Sequence, residues 1–173
     1  HYMTPKPDDG DIVAQLKTPI SDDDTALTLY AKIAEAAGHL LDDALPALIK
    51  GAAPRVPQDH ARATYYGGRK PEDGEIDWSK SAESVRNLVR AWSRPYPGAF
   101  SHSGDRKFFV WQATVDRAKQ DTPPGLVVSC DPLTVACGKQ ALRVDFAQPE
   151  DGVFMTGAQA ASAMGIVEGM KLG

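Results

Sequence analysis

The stretch ALRVDF, residues 141–146, decides the fold class because apolar and polar residues alternate along it. A period of two places Leu142, Val144 and Phe146 on one face of a β-strand. Short apolar runs of the same kind lie on both sides and are separated by turn-forming glycine, proline and aspartate residues. Such closely spaced short strands predict a small antiparallel β-barrel. The predicted strands cover residues 99–101, 107–112, 125–129, 133–136, 141–146 and 153–156.

Three other segments carry the periodicity of amphipathic helices. Apolar residues recur at three- and four-residue steps from Leu27 to Leu48, behind capping residues at 21–24, and Gly51 ends the pattern. A second apolar stripe, from Val85 to Trp92, follows the expected N-cap Ser81. The predicted helices cover residues 27–48, 81–92 and 157–164, and a strand is predicted over residues 12–20.

Residues 51–80 contain no sustained period over most of their length and are rich in glycine and proline, which indicates a linker. The chain is therefore predicted to divide into residues 1–50, 51–80 and 81–173. The linker also carries basic and aromatic side chains, which have two interpretations: they line a groove for an anionic ligand, or they belong to a solvated segment whose tyrosines pack on neighbouring elements. These side chains are Arg62, Tyr65, Tyr66, Arg69 and Lys70.

Composition excludes several classes of protein. The net charge of −4 argues against a chain whose first partner is a polyanion, so nucleic acid is not the expected partner. Cys130 and Cys137 lack a second Cys/His pair at zinc-finger spacing, and the four histidines are scattered, so no metal site is predicted. Two cysteines do not make a disulfide framework, which favours a reducing compartment. No apolar run approaches the roughly 20 residues that span a bilayer.

The opening segment, residues 1–15, is the candidate for chemistry. Pro5, Pro7 and Gly10 enforce an irregular loop because proline fixes φ and glycine tolerates unusual backbone angles. Asp8 and Asp9 lie inside this loop, and loops on a rigid scaffold often carry binding and catalytic groups. The alternative interpretation is a solvated acidic turn, since Asp, Gly and Pro are common turn residues.

Four segments stand out by their order and spacing: residues 8–15, 76–78, 89–91 and 94–100. Together they resemble the 10-formyltetrahydrofolate-dependent formyltransferases. Within that family the likeness is closer to the branch that formylates UDP-4-amino-4-deoxy-L-arabinose, and the methionyl-tRNA formyltransferases are the alternative. The sugar-nucleotide branch is further resembled at residues 100–101, 107–108, 110–111, 135–137, 157–159 and 165–167.

The resemblance implies an α/β fold: the C-terminal part of a Rossmann-like formyltransferase domain, then a linker helix and an OB-like antiparallel β-barrel. It implies a cytoplasmic transferase that moves a one-carbon formyl group from 10-formyltetrahydrofolate to the 4-amino group of a UDP-amino-sugar, in the lipid A modification pathway. No metal is implied. Its partners are the UDP-amino-sugar substrate and the N-terminal half of the same enzyme.

The resemblance also implies site residues. A loop Asp two residues before a Gly holds the histidine of an Asn-x-His pair, and by position relative to Gly10 that residue is Asp8. Asp9 occupies the variable position between them. The residues that resemble the folate-contacting segment are Thr4, Pro5, Lys6, Pro7 and Asp8. The only asparagine, Asn87, is followed by Leu-Val, so Asn-x-His is absent; the expectation is a chain that begins in mid-domain and is inactive alone.

A different class, a non-enzymatic binding module, is the remaining hypothesis. OB-like barrels bind single-stranded nucleic acid through aromatic platforms and basic grooves. Strand alternation would send about half of the aromatic candidates into the core. The candidate residues are Phe100, Phe108, Phe109 and Trp111, with Arg106 and Lys107.

Overall fold

A computed structural model describes residues 1–118 and 121–173. The chain divides into two units, one formed by His1–Asp24 and Thr28–Gly68 and the other by Thr25–Leu27 and Arg69–Gly173. The predicted boundaries at residues 50 and 80 lie on either side of the division after residue 68. The fold is mixed α/β, as predicted.

The first unit is built on one long helix, α1, which spans Ala26–Ile49 and confirms the predicted helix. Just before it lies Asp24, whose buried carboxylate accepts hydrogen bonds from the Ser21 N–H at 2.7 Å and the Thr28 hydroxyl at 3.0 Å. The Lys32 ammonium donates to the same carboxylate at 2.7 Å. These hydrogen bonds, that of Lys32 first, hold the pKa of Asp24 well below its usual range.

The predicted strand over residues 12–20 is wrong. Only Ile12 makes a β contact there, an antiparallel bridge with Val56 in which the two N–H groups donate at 2.8 and 3.1 Å. The rest of the segment has no partner strand among the described residues, and an extended segment without one is not a strand. Its apolar residues instead border an open groove of about 350 Å³ along α1. The groove is lined by Leu16, Thr18, Ile20, Leu29, Ile33, Ala36, Ala37 and Leu40.

No parallel sheet occurs in the described part of the first unit, whose only β contact is the bridge between Ile12 and Val56. The Rossmann-like character that the resemblance implies is therefore not visible here.

The second unit is an antiparallel sheet with two helices, and the predicted strands and helices are confirmed in number and order. The strands follow the order β1-β2-β5-β4-β3, with β6 paired to β5. The elements are α2 Ala82–Trp92, β1 Ala99–Ser103, β2 Arg106–Asp116, β3 Val127–Cys130, β4 Leu133–Ala136, β5 Ala141–Pro149, β6 Met155–Thr156 and α3 Gly157–Met164.

The sheet is open, whereas the sequence predicted a small antiparallel β-barrel. The outer strands of the path are β1 and β3, and no pairing of described strands joins them. The C-terminal segment hydrogen-bonds to both edges. Val127 donates to the Met170 carbonyl at 2.8 Å on the β3 side, and Gly173 donates to the His102 carbonyl at 3.0 Å on the β1 side. Residues 169–173 thus satisfy backbone groups that strand pairing would satisfy in a closed barrel.

The core lies between α2 and the inner face of the sheet. The α2 stripe, with Val85, Val89 and Trp92 buried, packs against the same core as Phe108 of β2 and Leu142 of β5. Ser81 caps α2 by accepting a hydrogen bond from the Ser84 N–H at 3.1 Å, as predicted.

The predicted inward position of Phe146 is wrong. Leu142 and Val144 are buried, but Phe146 is half-buried and stacks on the exposed ring of Phe154, with centroids 5.0 Å apart. The pairing of β5 with β2 shifts register on both sides of Gln112, which leaves one extra residue in each strand. The extra residue in β5, Asp145, reverses the faces of that strand beyond it. Ala147 then takes the buried position.

The segment before α2 is fastened to β1 by a buried hydrogen bond. Trp78 is 4% exposed, and its indole Nε1–H donates to the Ser101 hydroxyl at 2.9 Å, where Ser101 is 1% exposed. The Ile76 N–H donates to the Phe100 carbonyl at 2.8 Å beside it. Hydrogen bonds from the hydroxyl and N–H of Ser79 lower the pKa of Asp77. Residues 76–78 therefore have a structural role.

We expect Ser101→Ala to lower the free energy of unfolding by about 1–3 kcal/mol, because the Trp78 N–H would remain buried without an acceptor. Urea denaturation followed by tryptophan fluorescence measures the loss. The exposed Ser162→Ala on α3 is the matched control and should change the free energy by less than about 0.5 kcal/mol. Equal effects of the two substitutions would contradict the role given to the Trp78–Ser101 hydrogen bond.

Candidate functional site

The predicted site residues lie together in an irregular loop of the first unit. Residues 4–8 are all exposed, and the Thr4 hydroxyl donates to the Lys6 carbonyl at 2.8 Å. Asp8 has a φ of 56°, a left-handed angle that is uncommon for a residue with a side chain. Its carboxylate is 95% exposed and lies 3.4 Å from the His1 Nε2 atom. The loop therefore presents a carboxylate outward, within reach of an imidazole.

Gly10 fixes the path of this loop. A Cβ at Gly10 would lie 1.8 Å from the Tyr2 carbonyl oxygen, which no side chain tolerates. The Tyr2 N–H donates to the Asp11 carbonyl at 2.9 Å, so the two backbone segments pass in direct contact. Glycine is required at this position because the backbone segments at Tyr2 and Gly10 approach too closely for a side chain.

A second segment of the same unit, residues 53–60, holds the loop. The Arg55 guanidinium lies 3.6 Å from the centroid of the Tyr2 ring, and His60 Nδ1 lies 3.7 Å from Asp9 Oδ1. The Gln58 amide nitrogen donates to two carbonyls of the loop. Sequence reasoning missed Arg55, Gln58 and His60 because they are more than 40 residues from the loop and form no local motif.

The two aspartates of the loop have different surroundings. The Asp9 side chain is 36% exposed and faces His60, whereas Asp8 is almost fully exposed. A carboxylate beside an imidazole favours its protonated form and fixes its orientation. Of the two carboxylates, that of Asp8 is the more accessible.

The two thiols are not activated, and the described residues form no metal-binding cluster. Burial raises the pKa of the Cys137 thiol to about 12, and burial also raises that of Cys130, so neither supplies a thiolate at neutral pH. Within residues 1–118 and 121–173, no group of three or more His, Cys, Asp or Glu side chains is arranged to hold a metal ion. Over the same ranges, no helix is both long enough and apolar enough to cross a membrane.

The basic and aromatic residues of the predicted linker do not share one role. Arg69 belongs to the second unit, where its guanidinium lies 4.7 Å from the Tyr96 ring centroid and donates to the Ala91 carbonyl at 2.8 Å. Tyr65 and Tyr66 are each 90% exposed, so they are not packed on neighbouring elements.

The proposed aromatic platform is only partly on the surface. Phe108 is fully buried in the core, which removes it from the candidates. Phe109 and Trp111 are half-buried on the other face of β2. Lys107 Nζ lies 4.9 Å from the Phe109 ring centroid, and the Arg94 guanidinium lies 5.5 Å from that of Trp111. These cations stack on the rings that a nucleic-acid platform would leave open.

The second unit is an open antiparallel sheet packed on two helices, and the first carries an exposed carboxylate loop. Residues 69–164 match the family model described as the C-terminal domain of formyl transferases. The chain therefore belongs to the formyl transferase C-terminal domain family.

Solved structures share the fold over more of the chain. A variant of HypX from Aquifex aeolicus is similar with a TM-score of 0.67 and 17% identity, over 93% of this chain and 29% of HypX. HypX from Aquifex aeolicus in complex with tetrahydrofolic acid matches over the same shares at 17% identity and a TM-score of 0.66. Methionyl-tRNA formyltransferase from Clostridium thermocellum matches with a TM-score of 0.51 and 24% identity, over 68% of this chain and 49% of the other.

At these identities the similarity shows the fold alone. The chain spans 29% of the length of HypX and 49% of the methionyl-tRNA formyltransferase.

We expect Gly10→Ala to disrupt the loop, because the added methyl group would overlap the Tyr2 carbonyl at 1.8 Å. The free energy of unfolding of the first unit should fall by about 1–3 kcal/mol. Helix α1 dominates the helical circular dichroism of that unit, so urea denaturation followed at 222 nm measures the change.

Gly38→Ala is the matched control for this substitution. Gly38 lies in α1 with nothing within 4 Å of an added Cβ. Alanine there should leave stability unchanged or raise it by about 0.5–1 kcal/mol, since alanine favours helices. If Gly10→Ala were as harmless as this control, the close approach of the loop to Tyr2 would be wrong.

Proposed function

We propose that the chain is the C-terminal portion of a cytoplasmic formyltransferase that acts on the 4-amino group of UDP-4-amino-4-deoxy-L-arabinose, in lipid A modification. The observation that carries the proposal is the exposed Asp8 carboxylate, two residues before the tightly packed Gly10. Membership of the formyl transferase C-terminal domain family supports it. The second unit serves as the OB-like subdomain, a description supported by the hydrogen bonds of residues 169–173 to both sheet edges.

The reaction transfers one carbon between two nitrogens. The amine of the sugar attacks the formyl carbon of 10-formyltetrahydrofolate, forming a C–N bond and a tetrahedral oxyanion. The bond between that carbon and N10 of the folate then breaks. The amine loses one proton and N10 gains one, so the products are the formamide and tetrahydrofolate.

Asp8 supports this reaction through a histidine. The histidine of the Asn-x-His pair implied by the resemblance is not in this sequence and would come from the upstream half of the enzyme. The Asp8 carboxylate, placed within a few ångströms, raises the pKa of that imidazole and fixes its tautomer. The distance of 3.4 Å between His1 Nε2 and Asp8 Oδ1 supports this assignment, since an imidazole lies beside the carboxylate there.

Residues 4–8 are the proposed contact for the formyl donor. They are exposed, and Pro5 and Pro7 make their backbone stiff, which suits recognition through main-chain groups. The HypX structure in complex with tetrahydrofolic acid supports a folate as the donor. No metal takes part in this proposal.

The upstream half of the enzyme is the proposed partner of α1. None of the α1 residues is buried, and Tyr30, Leu41 and Leu45 are 63%, 56% and 44% exposed along one side of the helix. An apolar stripe of this kind is usually covered in a stable protein. The net charge of −4 favours a small sugar-nucleotide over tRNA as the acceptor.

Acceptor choice tests the proposed function directly. The intact enzyme, which includes the upstream half, should formylate UDP-4-amino-4-deoxy-L-arabinose with a kcat/KM at least about tenfold above that for methionyl-tRNA, a difference of about 1.4 kcal/mol in transition-state binding. Both acceptors are supplied with 10-formyltetrahydrofolate, and formylated product is measured by mass spectrometry. A preference for the tRNA would overturn the sugar assignment and leave the family membership intact.

In the intact enzyme, Asp8→Asn should lower kcat/KM by about 100-fold or more, because a neutral amide cannot stabilise the imidazolium. Initial rates over a range of pH measure the effect. Asp9→Asn is the matched control on the adjacent residue, and it should change kcat/KM by no more than a few-fold since Asp9 faces His60. Activity of Asp8→Asn within a few-fold of the parent would remove Asp8 from the mechanism.

A further inference from the structure

Among the side chains that contact the loop, that of Gln58 hydrogen-bonds to the backbone on both sides of Asp9. Gln58 Nε2 donates to the Asp8 carbonyl at 2.9 Å and to the Gly10 carbonyl at 2.7 Å. An amide NH₂ has two hydrogens, so both donors of Gln58 are used on carbonyls two residues apart. Gln58 is half-buried, whereas the carboxylate of Asp8 is 95% exposed.

The position of Gln58 follows from the backbone register. Ile12 and Val56 form an antiparallel bridge in which each N–H donates to the other carbonyl. The register places Gly10, two residues before Ile12, opposite Gln58, two residues after Val56. The bridge does not extend to this pair. The Gln58 side chain instead satisfies the loop carbonyls that a longer ladder would have satisfied.

The loop needs such a restraint. Asp8 has a φ of 56°, in the left-handed region that few residues with a side chain adopt. Contacts from the surrounding structure help to hold a residue in such a conformation. The hydrogen bond from Gln58 to the Asp8 carbonyl orients the Asp8 backbone. It therefore also sets the direction of the Asp8 side chain.

We infer that Gln58 is a positioning residue for formyl transfer, acting through the two carbonyls beside the Asp8 carboxylate. The inference rests on the proposed function, because it gives Gln58 its role through Asp8. It assigns Gln58 no contact with the formyl donor or the amine. We call the two hydrogen bonds from Gln58 to the Asp8 and Gly10 carbonyls the clamp. When the clamp is lost, the Asp8 carboxylate moves away from the histidine, and the pKa of that histidine falls.

The test is Gln58→Ala in the intact enzyme, with the pH dependence of kcat/KM as the readout. We expect kcat to fall by about ten- to hundred-fold while KM for the donor and the amine stays within a few-fold. The limb of the pH profile that reports the histidine should move to lower pH, as in Asp8→Asn, because the imidazolium loses its carboxylate. A destabilised but correctly positioned enzyme would lose active protein without moving this limb.

Two further variants sharpen the result. Gln58→Ala combined with Asp8→Asn should be no slower than Asp8→Asn alone, because groups that act as a unit are not additive. Gln15→Ala, an exposed glutamine of the same unit, is the matched control and should retain the parent rate and pH profile. A Gln58→Ala enzyme with the parent pH profile, or full additivity in the double variant, would overturn the inference.

Hydrogen exchange separates this inference from the proposed function. In the 173-residue chain, Gln58→Ala should speed amide exchange of residues 4–11 by about tenfold or more, relative to Gln15→Ala. If the intact parent transfers no formyl group, the proposed function fails even though the clamp is observed. If the parent is active and exchange of residues 4–11 is unchanged, the positioning role of Gln58 fails by itself.

Discussion

The second unit depends on the close approach of the segment before α2 to the turn between β4 and β5. The Gly138 N–H donates to the carbonyls of Trp78 and Lys80 at 3.0 and 2.8 Å, and a Cβ at Gly138 would lie 1.9 Å from the Ser79 carbonyl. This backbone contact fixes the segment before α2 against the turn. The apolar stripe of α2 packs in the same core as the sheet.

The same kind of constraint sets the candidate site. Gly10 meets Tyr2 at a distance that admits no side chain, as Gly138 meets Ser79. The two glycines differ in what surrounds them. Gly138 lies beside a strand ladder, whereas Gly10 lies in a loop held by one bridge and by side chains of residues 53–60, Gln58 among them. A site made in this way keeps its carboxylate exposed while its backbone is fixed, which is how a loop presents a functional group.

Local pattern predicted most of the fold because the elements of the second unit are short and separated by clear turn residues. Helix α3 and strand β4 have the predicted bounds. The errors share one physical origin, which is dependence on a distant partner. Phe146 faces outward because the pairing of β5 with β2 leaves an extra residue in β5. Residues 12–20 formed no strand because no second strand pairs with them in the described part of the unit.

For the candidate site, too, the sequence predicted the features that depend on local signals and not those that depend on a distant partner. The loop and Asp8 followed from proline, glycine and the family resemblance, which are local signals. Gln58 did not, because a single glutamine 50 residues away has no periodicity or motif, and only the antiparallel bridge brings it to the loop.

The charge of Lys107 is used within the second unit. Its Nζ atom lies over the rings of Phe100 and Phe109 and 3.3 Å from a Glu150 carboxylate oxygen, so the charge is already matched. A surface that binds a polyanion gains affinity when its cations replace the counterions of the phosphates, and a cation that is already paired contributes little to that replacement. Lys107 therefore links β2 to β1 and to the turn after β5, which makes it part of the packing of the sheet surface.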